Sequence, residues 1–225
     1  MLERIEKILA AAGIASRRNA KELIAKGLVA VNGKIAKQGD KADPGNDLIE
    51  VNGKPVAKEK QVYVVMNKPR GVISAAKDAR KTVVDIVNAK ERLFPVGRLD
   101  RNAEGLIILT NDGDFANKVM HPRYNVKKTY HVVLDRALPR EDVLKLQKGL
   151  FVEGRVVKIF DLHCKGSEAE LAIHEGRKHI VKKIFELLGF RIASLQRIAI
   201  GNLKLELKPG QFRYVSKEWL EKNIF

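Results

Sequence analysis

The chain has 225 residues, 43 Lys and Arg against 27 Asp and Glu, a formal charge of +16, and 45% hydrophobic residues. That length accommodates two small domains, and the composition is that of a globular protein rather than a disordered one. The longest apolar runs, such as Val62 to Met66 and Leu106 to Leu109, are far too short for a membrane-spanning helix, and the positive excess favours a polyanionic partner, nucleic acid first.

A single cysteine, Cys164, excludes an intramolecular disulfide and suits a reducing, cytoplasmic compartment. The five histidines and this cysteine never fall at zinc-site spacing, so no metal is expected. Glu3 and Glu6 interrupt the basic start of the chain, so no targeting signal is expected either. The charge divides as +4 on residues 1–58 and +12 on residues 59–225, and both parts can contribute to an electrostatic footprint.

Leu2, Ile5, Ile8, Leu9 and Ala12 recur with a helical period that Gly13 ends. A second helix is predicted to start on Ser16 as its cap, to bury Ala20, Leu23 and Ile24, and to stop at Gly27. Asn32-Gly33 lies between short β-prone runs, and the phrase Val-Asn-Gly-Lys recurs at Val51 to Lys54, which predicts two tight turns in one small sheet. The polar stretch from about residue 54 to Gln61 reads as a linker, giving domains at 1–58 and 59–225.

Strands are predicted at Val62 to Met66, Phe94 to Val96, Gly105 to Thr110, Thr129 to Leu134, Val156 to Leu162 and Glu168 to His174. Helices are predicted at Thr82 to Asn88, Asp114 to Met120, Pro139 to Lys148, Lys178 to Leu188 and Ser216 to Lys222. Successive strands with irregularly placed helices indicate an α+β fold with a mixed, mostly antiparallel sheet.

Residues 97–113, from Gly97-Arg98-Leu99-Asp100 to Thr110-Asn111-Asp112-Gly113, read as a polar loop between two buried strands. Asp100 stands where a rigid sheet can hold a loop carboxylate against a ligand. In isolation such an aspartate more often satisfies nearby backbone N–H groups than reacts.

The helix-helix-hairpin segment, with Gly13-Ile14-Ala15-Ser16-Arg17-Arg18 and Gly27 to Gly33, resembles the small RNA-binding domain named for the fourth protein of the small ribosomal subunit. The resemblance implies that Arg17, Arg18 and Lys21 meet RNA phosphates, in keeping with a helix N-terminus that favours anions. A solvated charged face is the plain alternative.

From residue 62 onward the chain resembles pseudouridine synthases of the ribosomal small-subunit branch. Gly-Arg-Leu-Asp at 97–100 and Thr-Asn-Asp-Gly at 110–113 carry the resemblance. With them go Asn67-Lys68-Pro69-Arg70-Gly71, Lys128-Thr129-Tyr130, Glu175-Gly176-Arg177-Lys178-His179 and Leu195-Gln196-Arg197-Ile198. It implies uridine isomerisation in ribosomal RNA, with large-subunit RNA favoured by the N-terminal segment, and needs no cofactor or metal.

Residue by residue, the resemblance makes Asp100 the essential aspartate, Tyr130 the aromatic platform for the uracil, and Arg177 the partner of Asp100. Leu195 would form the apolar wall, with Arg98 and Lys128 also on the substrate. Lys68 and Pro69 match a motif with a structural task. The chain departs from the family at Ala103, where Ser or Thr is usual, at Ile180, where Gln is usual, and at Lys182 and Lys183, where arginines are usual.

The expected partner is ribosomal RNA or a pre-ribosomal particle, bound by a monomer. The competing reading is a non-catalytic RNA-binding or ribosome-assembly factor that kept the fold. A DNA-binding regulator would leave the Gly-Arg-Leu-Asp loop without a use.

Overall fold

A computed structural model describes all residues, 1–225, and the chain forms two compact units. The first comprises Met1–Gln61 with Lys90–Arg92 and Asn111–Gly113, and the second comprises Val62–Ala89, Leu93–Thr110 and Asp114–Phe225.

In the first unit the helix Ile5–Ala11 buries Ile5, Ile8 and Leu9. The helix Arg17–Ala25 begins on Ser16, whose Oγ accepts a hydrogen bond from the Asn19 amide at 3.1 Å, a cap that contributes about 1 kcal/mol. Both Asn-Gly turns are left-handed at both positions, with φ of 51° and 76° at Asn32 and Gly33 and 50° and 69° at Asn52 and Gly53. Those angles suit the twist of two-residue hairpins, and the two hairpins join through Val29–Val31 and Ile49–Val51 into one four-stranded sheet.

The linker begins later than the sequence suggests. Lys54–Pro55 is a strand paired with Glu50 and Val51, and the Val56 amide bonds the Ile49 carbonyl at 2.8 Å while its side chain packs on the core. An Asn-Gly turn needs a returning strand, and that strand uses residues whose polarity reads as loop.

The second unit is built on a nine-stranded sheet. Its main path runs Phe160–Lys165, Glu168–Ile173, Lys128–Leu134, Ile192–Ile200, Glu104–Thr110, Tyr63–Lys68 and Phe212–Val215. Every pairing is antiparallel except that of Ile192–Ile200 with Glu104–Thr110, which is parallel. The fold is therefore α+β with a mixed, mostly antiparallel sheet.

Both faces of the central strands are covered. Val64, Met66, Ile107 and Leu109 join one apolar cluster with Ile184 and Phe185, whereas Tyr63, Val65, Leu106 and Ile108 join another with Phe115 and Leu220. Burial on both faces is why these strands read as continuous apolar runs instead of alternating.

Several elements differ from expectation, among them the unpredicted end strand Phe212–Val215. The predicted strand Val156 to Leu162 splits into Arg155–Val157, which forms its own hairpin with Leu150–Val152, and Phe160–Lys165, which enters the large sheet. The helix after Arg177 starts at Ile180 because His179 is left-handed, with φ of 60°. The strand Ile192–Ile200 is central yet was not expected, because Gln196 and Arg197 interrupt its apolar pattern and Arg197 is itself buried.

The parallel pairing sets a strict limit at Gly105. Its φ is +114°, and a Cβ there would stand 2.3 Å from the Arg197 carbonyl oxygen and 2.6 Å from the Arg197 nitrogen. Backbone cannot yield as a side-chain tip can, so Gly105→Ala is expected to cost more than about 2 kcal/mol. Gly33→Ala, at φ of +76° with nothing within 4 Å, should cost about 1 kcal/mol. Chemical denaturation of both variants checks this, and equal losses would show that the close approach is not limiting.

Candidate active site

Asp100 lies in the loop between the neighbouring strands Phe94–Val96 and Glu104–Thr110. The segment after strand Tyr63–Lys68 holds that loop from beneath. Lys68 is fully buried, and its ammonium donates to the carbonyls of Val72 at 2.8 Å, Pro69 at 3.0 Å and Arg101 at 3.4 Å. The Gly71 amide bonds the Arg101 carbonyl at 2.8 Å, and the Arg70 guanidinium reaches the Asn102 carbonyl at 3.2 Å.

Ser74 secures the other side of Asp100. Its buried Oγ accepts from the Leu99 amide at 3.1 Å and donates to the Leu99 carbonyl at 2.9 Å. The residues flanking Asp100 are thus fixed by hydrogen bonds while its side chain stays 24% exposed. Burial lowers the Lys68 pKa to about 8, and the negative charges of Asp100 and Glu104 oppose part of that fall.

The carboxylate itself is held at both oxygens. Lys182 Nζ lies 2.9 Å from Oδ2, and His179 Nε2 lies 3.1 Å from Oδ1. The two partners are three residues apart, so the first turn of helix Ile180–Leu187 presents them side by side.

Arg177 does not pair with Asp100. Its Nε forms a short ion pair with Glu175, which raises the Arg177 pKa, and its Nη1 donates to the Val152 carbonyl at 2.8 Å. The left-handed turn at His179 separates Arg177 from the helix, so the loop carboxylate meets the helix and not the arginine ahead of it.

Arg177 nonetheless lines the same pocket as Asp100, Tyr130, Leu195, Arg98 and Lys128. Tyr130 and Leu195 are both 7% exposed, and they come from the adjacent strands Lys128–Leu134 and Ile192–Ile200. Arg98 is exposed at the rim. Lys128 is not a solvated charge: it is 8% exposed and donates to the carbonyls of Val126 at 2.8 Å and Val119 at 2.9 Å. Burial, with the Arg197 charge adding to it, lowers the Lys128 pKa to about 8.

Ala103 is buried in the core against this pocket, and Ile180 adds a buried apolar wall where an amide would be usual. In the first unit, Arg17, Arg18 and Lys21 are exposed on helix Arg17–Ala25, with Arg18 Nε 3.9 Å from Glu22.

Residues 62–187, more than half of the chain, match the family described as RNA pseudouridylate synthase. The chain belongs to that family. Residues 3–49 match the S4 domain, so the synthase carries an RNA-binding module ahead of its isomerase domain.

Among its relatives, the Bacillus subtilis protein named ribosomal large subunit pseudouridine synthase B is 45% identical over 223 residues, covering 94% of this chain and 91% of that one. An uncharacterized RNA pseudouridine synthase of Aquifex aeolicus is 40% identical over 225 residues, covering 95% and 90%. A crystal structure of a pseudouridylate synthase matches 98% of this chain and 99% of its own, with a TM-score of 0.69 at 28% identity. The synthase is therefore an RNA-modifying isomerase.

Sequence reasoning passed over His179 and Lys182 as partners of Asp100. A signal was present: Lys182 and Lys183 sit in the first turn of a helix, where the helix dipole disfavours cations. Each has a carboxylate to offset that cost, Asp100 for Lys182 and Glu153 for Lys183.

The depressed Lys68 pKa links stability to pH. The folded chain releases the Lys68 proton near pH 8, whereas an unfolded lysine keeps it to about 10.4, so the lysine's contribution to stability rises with pH across that window. The stability of the wild type relative to Lys68→Met should therefore increase from pH 8 to pH 10 in urea titrations. A difference that stays flat would contradict the buried-ammonium account.

Proposed function

We propose that this synthase isomerises uridine to pseudouridine in large-subunit ribosomal RNA, with Asp100 as the essential carboxylate and Tyr130 as the platform for the base. The observation that carries this reading is an aspartate fixed by its loop and held by Lys182 and His179 at a pocket walled by Tyr130 and Leu195. The S4 domain, the +16 charge and the relative named for the large ribosomal subunit support the substrate class.

The target nucleotide must leave its stack to enter such a pocket. Stacking on Tyr130 returns about 1–3 kcal/mol of what extrusion costs. Positive charge grows on the ribose as the glycosidic bond breaks, and an aspartate already aimed at it offsets that charge without reorganising. Asp100 then acts either as nucleophile at C1′ or as base at C2′. Lys182 and His179 take the orienting role that the family resemblance gave to Arg177. Arg177 keeps a place at the pocket wall, where it meets substrate. Arg98 at the rim and Arg17, Arg18 and Lys21 on the S4 helix engage RNA phosphates, which orient the RNA without reading its sequence.

Asp100→Asn should bind ribosomal RNA with unchanged affinity and form no pseudouridine, as read by carbodiimide-dependent reverse-transcription stops on both ribosomal RNAs. Product from this variant would remove Asp100 from the mechanism, and the absence of product from the wild type would leave an RNA-binding factor. Lys182→Met should lower kcat by roughly 100-fold, while Lys182→Arg keeps most activity because a guanidinium can replace the ammonium beside the carboxylate. Equal rates for Lys182→Met and wild type would remove Lys182 from the site.

A further inference from the structure

The strand Ile192–Ile200 brings another charge into the same pocket. Arg197 is 4% exposed, and it is the cross-strand partner of Tyr130 on one side and of Gly105 on the other. Its Nε donates to the Leu106 carbonyl at 2.7 Å, but its Nη2 is buried and has no hydrogen-bond partner. Lys128, close enough for the two like charges to repel, spends two of its three N–H groups on carbonyls.

Neither cation has a carboxylate within ion-pair distance, since Asp100 is engaged by Lys182 and His179, and Glu175 by Arg177. Two buried like charges without a counter-charge are costly. A pocket that keeps them is suited to negative charge that arrives with its ligand.

Depth selects which negative charge. Arg98 is exposed and the Asp100 side chain is 24% exposed, so the rim is the part open to an RNA backbone, whereas Arg197 and Lys128 are more than nine-tenths buried. A phosphate tied to a strand outside the pocket stays near the rim. The base stacked against Tyr130 reaches further in.

We propose that Arg197, supported by Lys128, is the counter-cation for the uracil as it leaves the ribose, with Nη2 donating to a uracil carbonyl oxygen. This rests on the isomerase reading of the pocket. The bond from C1′ to N1 breaks heterolytically, and its electron pair goes to the uracil, whose charge spreads over N1 and both carbonyl oxygens. Asp100 meets the deficit at C1′ by bonding to it or by taking the C2′ proton. C5 of the rotated base then forms the new bond to C1′, Asp100 is released or returns its proton, C5 loses its proton to solvent, and N1 gains one.

A hydrogen bond to an anionic oxygen is stronger than one to a neutral carbonyl. Arg197 therefore acts on kcat more than on RNA affinity. The leaving ability of the base tests this directly, because 5-fluorouracil is a stronger acid than uracil and needs less help to depart.

Wild type, Arg197→Met and Arg197→Lys are compared in single turnovers on transcripts of both ribosomal RNAs, made with uridine or with 5-fluorouridine. Loss of the N-linked nucleoside is followed by chromatography and mass spectrometry of nuclease digests. Arg197→Met should lose on the order of 100-fold on uridine RNA with little change in RNA affinity, lose about tenfold or less on 5-fluorouridine RNA, and be largely rescued in Arg197→Lys.

The same fold-loss on both RNAs, or no loss on either, overturns the proposal. Should Arg197→Met fail to fold, Lys128→Met supports the same comparison, because it leaves the Arg197 contact to Leu106 in place. If the wild type converts no uridine, the isomerase reading falls together with this one; if it converts uridine and the penalties match, only the role of Arg197 falls.

Discussion

The catalytic domain depends on a buried ammonium group. Lys68 sits beneath the loop that carries Asp100 and ties the carbonyls of Pro69, Val72 and Arg101 to one point. An unpaired charge at that depth would be costly, yet three carbonyl oxygens match the three N–H groups of the ammonium. Satisfying it therefore requires the two loops to keep one relative position. Ser74 adds a reciprocal pair of hydrogen bonds at Leu99, and the carboxylate next to it inherits that rigidity.

Charge in the pocket is arranged by depth. At the rim a carboxylate faces Lys182 and His179, which hold its two oxygens. Arg177 is drawn away by Glu175 and the Val152 carbonyl. Deeper in, Arg197 and Lys128 have no carboxylate within ion-pair distance, and Arg197 Nη2 has no hydrogen-bond partner. In the proposed mechanism, a positive ribose and a negative base are each answered by an opposite charge at the corresponding depth.

The two units divide the work by the same physics. In the S4 domain, a short capped helix exposes basic residues, the arrangement proposed to meet a polyanion whose phosphates carry no sequence information. In the synthase domain, sheet strands covered on both faces give the loop and strands that line the pocket a close-packed support. Gly105 joins these demands, because only a residue without a side chain lets the parallel strand carrying Arg197 approach the one that follows the Asp100 loop.

Local patterns determined much of this protein. Helical spacing, the Ser16 cap and two Asn-Gly turns define the first unit because each acts within a few residues. The Gly-Arg-Leu-Asp loop and the Lys-Thr-Tyr strand stood out only through the family resemblance, since an aspartate in a polar loop more often satisfies nearby backbone N–H groups than reacts. The tertiary structure alone decided that Asp100 is held by Lys182 and His179 and not by Arg177, since that choice turns on one left-handed residue across a gap of some eighty positions. It also decided that Ile192–Ile200 is a central strand with a buried arginine. Polarity in the chain marks a residue as exposed unless a distant strand closes over it, and only the folded sheet supplies that strand.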